Sequence, residues 1–126
     1  MKKIDTKHAP KAIGPYSQAI HAGSFVFISG QLPINPESGK IEDHTIQGQT
    51  KRVLENLAAI LKEVGCTFAD VVKSEVFLKD MGDFKEMNGL YAERFNGEVK
   101  PARQAFQVAR LPMDALIEIS CIAYKK

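Results

Sequence analysis

The feature that most constrains this chain is an excess of apolar strand surface over helix able to cover it. In Phe25-Val26-Phe27-Ile28 and Leu116-Ile117-Glu118-Ile119-Ser120-Cys121-Ile122 apolar residues occupy both alternating faces. Only two segments carry helical periodicity. One opens near Thr45, repeats Val53, Leu54, Leu57, Ile60, Leu61 and Val64 at helical spacing, and stops at Gly65. The other opens with an Asp83/Glu86 capping box, carries Phe84, Met87, Leu90, Tyr91 and Phe95 on one stripe, and ends at Asn96-Gly97. Two such helices cover one side of a sheet. The other side then needs a partner, which predicts a homo-oligomer whose subunits meet through their sheets.

The strands read as follows. A short one lies near Lys2–Ile4, and a polar loop with Pro10 and Gly14-Pro15-Tyr16 follows. Gln18–His21 and Phe25–Ser29 form a hairpin about Ala22-Gly23-Ser24, with Gly30-Gln31-Leu32-Pro33 as its end. Asn35–Lys40 is an exposed bend, and Val71–Leu78 is a β-branched strand. Two further strands carry Pro101-Ala102-Arg103-Gln104-Ala105-Phe106 and Leu116–Ala123. The 126 residues make one domain, 1–126, of α/β (α+β) class: a single mixed sheet of about six strands with two helices on one face.

Composition excludes several functions. A net charge of +2 with scattered lysines gives no nucleic-acid groove. Cys66 and Cys121 are too far apart for a zinc or disulfide motif and read as small apolar fillers, while His8, His21 and His44 show no ligand spacing, so no metal is expected. The start of the chain lacks a signal-peptide core and no run is long enough for a membrane span, so a cytoplasmic protein is expected. Met81, Met87 and Met113 read as core or interface.

Two charges stand out. Arg103 shares a strand face with Ala105 and Gln107, and Glu118 shares one with Leu116, Ser120 and Ile122, so both interrupt apolar surroundings. Ions there are costly unless paired or employed. Read from the residues alone, they make a structural ion pair. Tyr16 makes a rim aromatic, Asn88 a solvent-facing or packing helix amide, and Gly30 a residue that its turn requires.

Taken together, Ile13-Gly14-Pro15-Tyr16-Ser17-Gln18-Ala19, Ser29-Gly30-Gln31-Leu32-Pro33, Val76-Phe77-Leu78-Lys79-Asp80, Pro101-Ala102-Arg103 and Ile117-Glu118-Ile119 resemble, in order and spacing, the Rid/YjgF family of reactive intermediate deaminases. The resemblance runs from Ala12 to Ala123. It implies a chorismate-mutase-like protomer assembled as a homotrimer with sites between subunits. It also implies cofactor-free hydrolysis of enamine and imine acids, such as 2-aminoacrylate and 2-iminopropanoate, to 2-keto acids and ammonia. By resemblance Arg103 binds the substrate carboxylate, Glu118 and Tyr16 act with it in catalysis, and Asn88, Ser29 and Gly30 line the pocket. Many members carry a cysteine two residues past the arginine; this chain has Ala105.

That assignment is chemically coherent. A guanidinium fork grips a carboxylate through two parallel hydrogen bonds, which a lysine does not. A glutamate in a partly apolar pocket has its pKa lifted from ~4.3 by desolvation and then passes protons. The alternatives are a non-catalytic 2-keto acid binding or regulatory protein, and RNA cleavage or holdase activity.

Overall fold

A computed structural model describes all residues, 1–126. Six strands form one sheet: β1 (Lys2–Ile4), β2 (Ala19–Ala22), β3 (Phe25–Gln31), β4 (Val71–Leu78), β5 (Ala102–Gln107) and β6 (Ile117–Tyr124). Their spatial order is β1-β2-β3-β6-β4-β5. Every pairing is antiparallel except that of β4 with the edge strand β5. Helices α1 (Ile46–Glu63) and α2 (Phe84–Arg94) both contribute to the buried core, and the sheet with its two helices is the chorismate-mutase-like arrangement.

Helix α1 starts where its sequence says it should. Thr45 is extended and its side chain accepts from the Gly48 amide. The chain leaves α1 through Gly65, whose φ of 76° is the left-handed geometry that glycine adopts without strain. Val53, Leu57 and Ile60 are fully buried and meet Val26, Val76, Ile117 and Ile119 from the sheet. The stripe also carries two amides. Asn56 donates to the carbonyls of Leu32 and Ile34, both at 3.0 Å. Gln49 accepts from the Leu116 amide at 2.8 Å and donates to the Asp43 carbonyl at 3.0 Å.

Helix α2 corrects one expectation. Asp83 precedes the helix, but its side chain makes no cap hydrogen bond, so there is no Asp83/Glu86 capping box. A 3-10 turn, Met81–Asp83, leads straight into α2 and gives Asp83 a right-handed backbone, whereas a cap needs extended geometry. The capping side chain is Asp80, which accepts from the Gly82 amide at 2.8 Å.

Strand β3 does not end at Gly30; it runs to Gln31 through a register shift between Ile28 and Gln31. Ile28 pairs with Cys121 and Gln31 with Ile119, so Ser29 and Gly30 together oppose one residue of β6, as in a β-bulge. The other sheet face is open. Phe25, Phe27, Phe106 and Tyr124 are each more than 40 % exposed on it, as the count of faces requires. Cys121 is a buried filler, its thiol pushed up to about 12 by burial, and Met87 is core. Met81 and Met113 are exposed. No helix is long and apolar enough to cross a membrane.

Candidate functional site

Arg103 and Glu118 lie on opposite faces of the sheet. The β4–β5 register sets Arg103 beside Ser74, and the β4–β6 register sets Glu118 beside Phe77. Ser74 is fully buried and bonded to Tyr91 of α2, so it points to the helices. Phe77, three residues on, points the other way and packs edge-on against Phe106 at 5.2 Å. The expected ion pair does not exist within the chain: the salt bridges are Arg52–Glu55 and Arg110–Asp114.

Arg103 is held by neutral groups. It donates to Asn88 Oδ1 at 2.6 Å, and its guanidinium lies 4.7 Å from the centre of the Tyr91 ring and 5.4 Å from that of Phe84. Asn88, Tyr91, Ala92, Phe95, Lys100, Pro101 and Arg103 line a cavity of about 380 Å³. Ala105 sits two residues along, on the same face of β5, partly buried against the core. Asn88 is thus no idle surface amide. Its carbonyl fixes one guanidinium nitrogen and leaves the remaining donors without a partner in the chain.

The open face gathers the other candidates. Glu118 sits over Gly30: a Cβ there would lie 2.3 Å from Glu118 Oε2 and 2.8 Å from Cδ. A side chain at Gly30 would displace the Glu118 carboxyl from this position, so the glycine serves space and not a turn; its φ is not positive. Burial lifts the Glu118 carboxyl above the ordinary glutamate range, and no hydrogen bond or ion pair offsets it. Ser29 donates to the Ser17 carbonyl at 2.6 Å, tying the bulge to the loop that carries Tyr16. Tyr16 is 55 % exposed and lines a cavity of about 440 Å³ with Ser29, Phe27, Lys73, Glu75 and Ser120.

The six sequence candidates thus fall into two groups, Arg103 with Asn88 at the β5 edge, and Glu118 with Gly30, Ser29 and Tyr16 on the open face. Sequence reading missed Tyr91 and Ser74 beneath the arginine. The signal was there: Tyr91 stands one turn after Asn88 on α2, and such neighbours share a face.

Residues 6–125 match the model of a family described as Endoribonuclease L-PSP. A RutC family protein of Pyrococcus abyssi is 58% identical over 98% of this chain and 96% of its own. The 2-iminobutanoate/2-iminopropanoate deaminase of Mus musculus is 46% identical over 97% of this chain and 90% of its own. The crystal structure of the YjgF gene product of E. coli superposes with a TM-score of 0.94 at 40% identity, covering 100% of both chains. With almost every residue spanned by a family model and by such relatives, the chain belongs to the Rid/YjgF family.

Proposed function

We propose that this protein hydrolyses enamine and imine acids of the 2-aminoacrylate/2-iminopropanoate type to 2-keto acids and ammonia, as a homotrimer with its sites between subunits. One observation carries the reading. Arg103 is a cation fixed by an amide and two aromatic rings, with no carboxylate to neutralise it. Such a group is prepared for a small anion. The deaminase name of the mouse relative supports the same chemistry.

In this reading the Arg103 fork takes the substrate carboxylate in two hydrogen bonds and so fixes the adjacent C=N carbon. Water adds to that carbon. Glu118, its pKa raised by burial, takes the water's proton and delivers one to nitrogen, and the carbinolamine collapses to the C=O bond and ammonia. For an enamine the same carboxyl first supplies a proton to the terminal carbon. Gly30 leaves room for Glu118, Ser29 ties the bulge to the Tyr16 loop, and Tyr16 is assigned to cover the mouth.

Because the two charges occupy opposite faces of one chain, they meet only if the Arg103 edge of one protomer abuts the Glu118 face of the next. The exposed aromatic face supports such packing. Arg103→Ala and Glu118→Gln should each abolish turnover of freshly generated 2-iminopropanoate. Co-refolded in equal amounts, they regain about a quarter of wild-type ammonia release, since each head-to-tail interface draws its two chains independently. No recovery in verified mixed trimers would overturn the shared site, and full activity of either variant alone would remove that residue from the mechanism.

A further inference from the structure

We propose that Tyr91 is the positioning residue of Arg103, a neutral ring that aims the guanidinium at the substrate carboxylate without competing for it. The proposal rests on the deaminase reading and specifies how that site is organised.

The geometry is a column. Arg103 lies 4.7 Å from the Tyr91 ring centre, Tyr91 stacks on Phe95 at 4.1 Å with planes 18° apart, and Phe95 meets Phe68 edge-on at 4.8 Å. Arg94 closes the far end, 5.5 Å from the Phe68 ring. The stack on Phe95 holds the Tyr91 ring, and its hydroxyl adds a second tie, to Ser74 Oγ at 2.6 Å. Ser74 is fully buried on β4, in register with Arg103 itself. The strand that pairs with the arginine's own backbone therefore also pins the ring beneath its side chain.

Chemistry favours a ring here over a carboxylate. An aspartate or glutamate would hold Arg103 as firmly but would neutralise the charge and occupy the fork. A ring face attracts the cation and leaves its hydrogen-bond donors free. Burial raises the Tyr91 pKa, so the phenol stays uncharged in the working range. With Asn88 Oδ1 taking one donor and the Phe84 ring 5.4 Å away on the same helix, the arginine side chain is restrained by three contacts of two kinds, of which the Tyr91 ring is the nearer aromatic one. An exposed edge strand offers no packed surroundings to do this, so the restraint must come from α2.

The test reads Arg103 directly. In the wild type, the Arg103 Nε–H resonance, identified by its loss in Arg103→Lys, should be shifted upfield by the ring and show a nuclear Overhauser contact to Tyr91 ring protons. Tyr91→Leu should remove the larger part of that shift, leaving what the Phe84 ring at 5.4 Å contributes, and weaken pyruvate binding by roughly five- to tenfold through lost positioning. Tyr91→Phe keeps the ring and should hold pyruvate affinity within about twofold while losing the bond to Ser74, with Ser74→Ala matching it. Equal weakening by Tyr91→Leu and Tyr91→Phe, or an Arg103 resonance unmoved by Tyr91→Leu, would overturn the proposal. If Tyr91→Leu does not fold, absence of the wild-type ring contact does so by itself. Wild-type protein that binds no pyruvate and turns over no imine fails the deaminase reading instead, and the Arg103 resonance still decides the ring's role.

Discussion

Glu118 is kept at a thermodynamic cost. Its carboxyl is half-buried, nothing in the chain pairs with it, and burial alone raises its pKa. A carboxyl whose folded pKa exceeds its unfolded one binds protons more tightly when folded, so the protein is relatively more stable at low pH. Below the ordinary glutamate value both states are protonated and there is no penalty. As pH rises through the raised folded value, the penalty sets in fully. In dissociated protomers, where no neighbour's Arg103 reaches it, Glu118→Gln is accordingly expected to unfold at higher denaturant than wild type at pH 7 to 8, with the gap closing at pH ~3.5, below the ordinary glutamate value, while imine turnover is lost in the assembled form. Parallel urea titrations at the two pH values check this; a variant less stable than wild type at pH 8 would make Glu118 a structural contributor. The sequence showed this residue as an anomaly, because a glutamate among isoleucines is visible by eye. What it did not show was Gly30 beneath it, since the contact depends on the bulge that turns two β3 residues toward one of β6.

At the scale of elements, α1 does more than cover the sheet. Asn56 reaches from its buried face to the Leu32 and Ile34 carbonyls, on either side of Pro33 and just beyond the bulge. Removing it strands two partly buried acceptors, so Asn56→Ala should cost about 2–3 kcal/mol, seen as a lower urea midpoint with unchanged slope at fixed protein concentration. The neighbouring Glu55→Ala loses only an exposed pair with Arg52 and should stay within about 0.5 kcal/mol. Equal effects would show that the Asn56 bonds carry nothing. Helix existence was legible because period 3.6 needs only the apolar residues. The amides were not, as Asn56 occupies a place in the stripe that its residue type argues against, and only the incoming Leu32–Ile34 loop explains it. The capping box failed for a related reason: the Asp83 and Glu86 spacing is right, but the preceding 3-10 turn fixes a backbone that a cap does not use.

For the whole molecule, counting faces in the sequence was sufficient to leave one side of the sheet without cover. Alternation within a strand tells which residues share a face, yet it does not relate the faces of two strands that are distant in sequence. That is why Arg103 and Glu118 read as companions and stand on opposite sides: their relation passes through β4, which lies between them in the sheet. On the proposed function, the open face would tie assembly to chemistry. Phe27 stands near its centre, 46% exposed, 6.3 Å from Phe25 and on the wall of the cavity shared by Tyr16 and Ser29. An aspartate at this position places a charge where the proposed trimer is dry, beside Glu75 on the same wall. Val26 and Ile28 keep their burial on the other side of the strand, so the protomer core is untouched. Phe27→Asp should therefore sediment as a monomer at micromolar concentration, with wild type expected to sediment as a trimer, and should retain its far-ultraviolet circular dichroism and lose imine hydrolysis. A monomeric variant with full turnover would place the whole reaction within one chain, and would require Arg103 or Glu118, separated by the sheet, to work without the other.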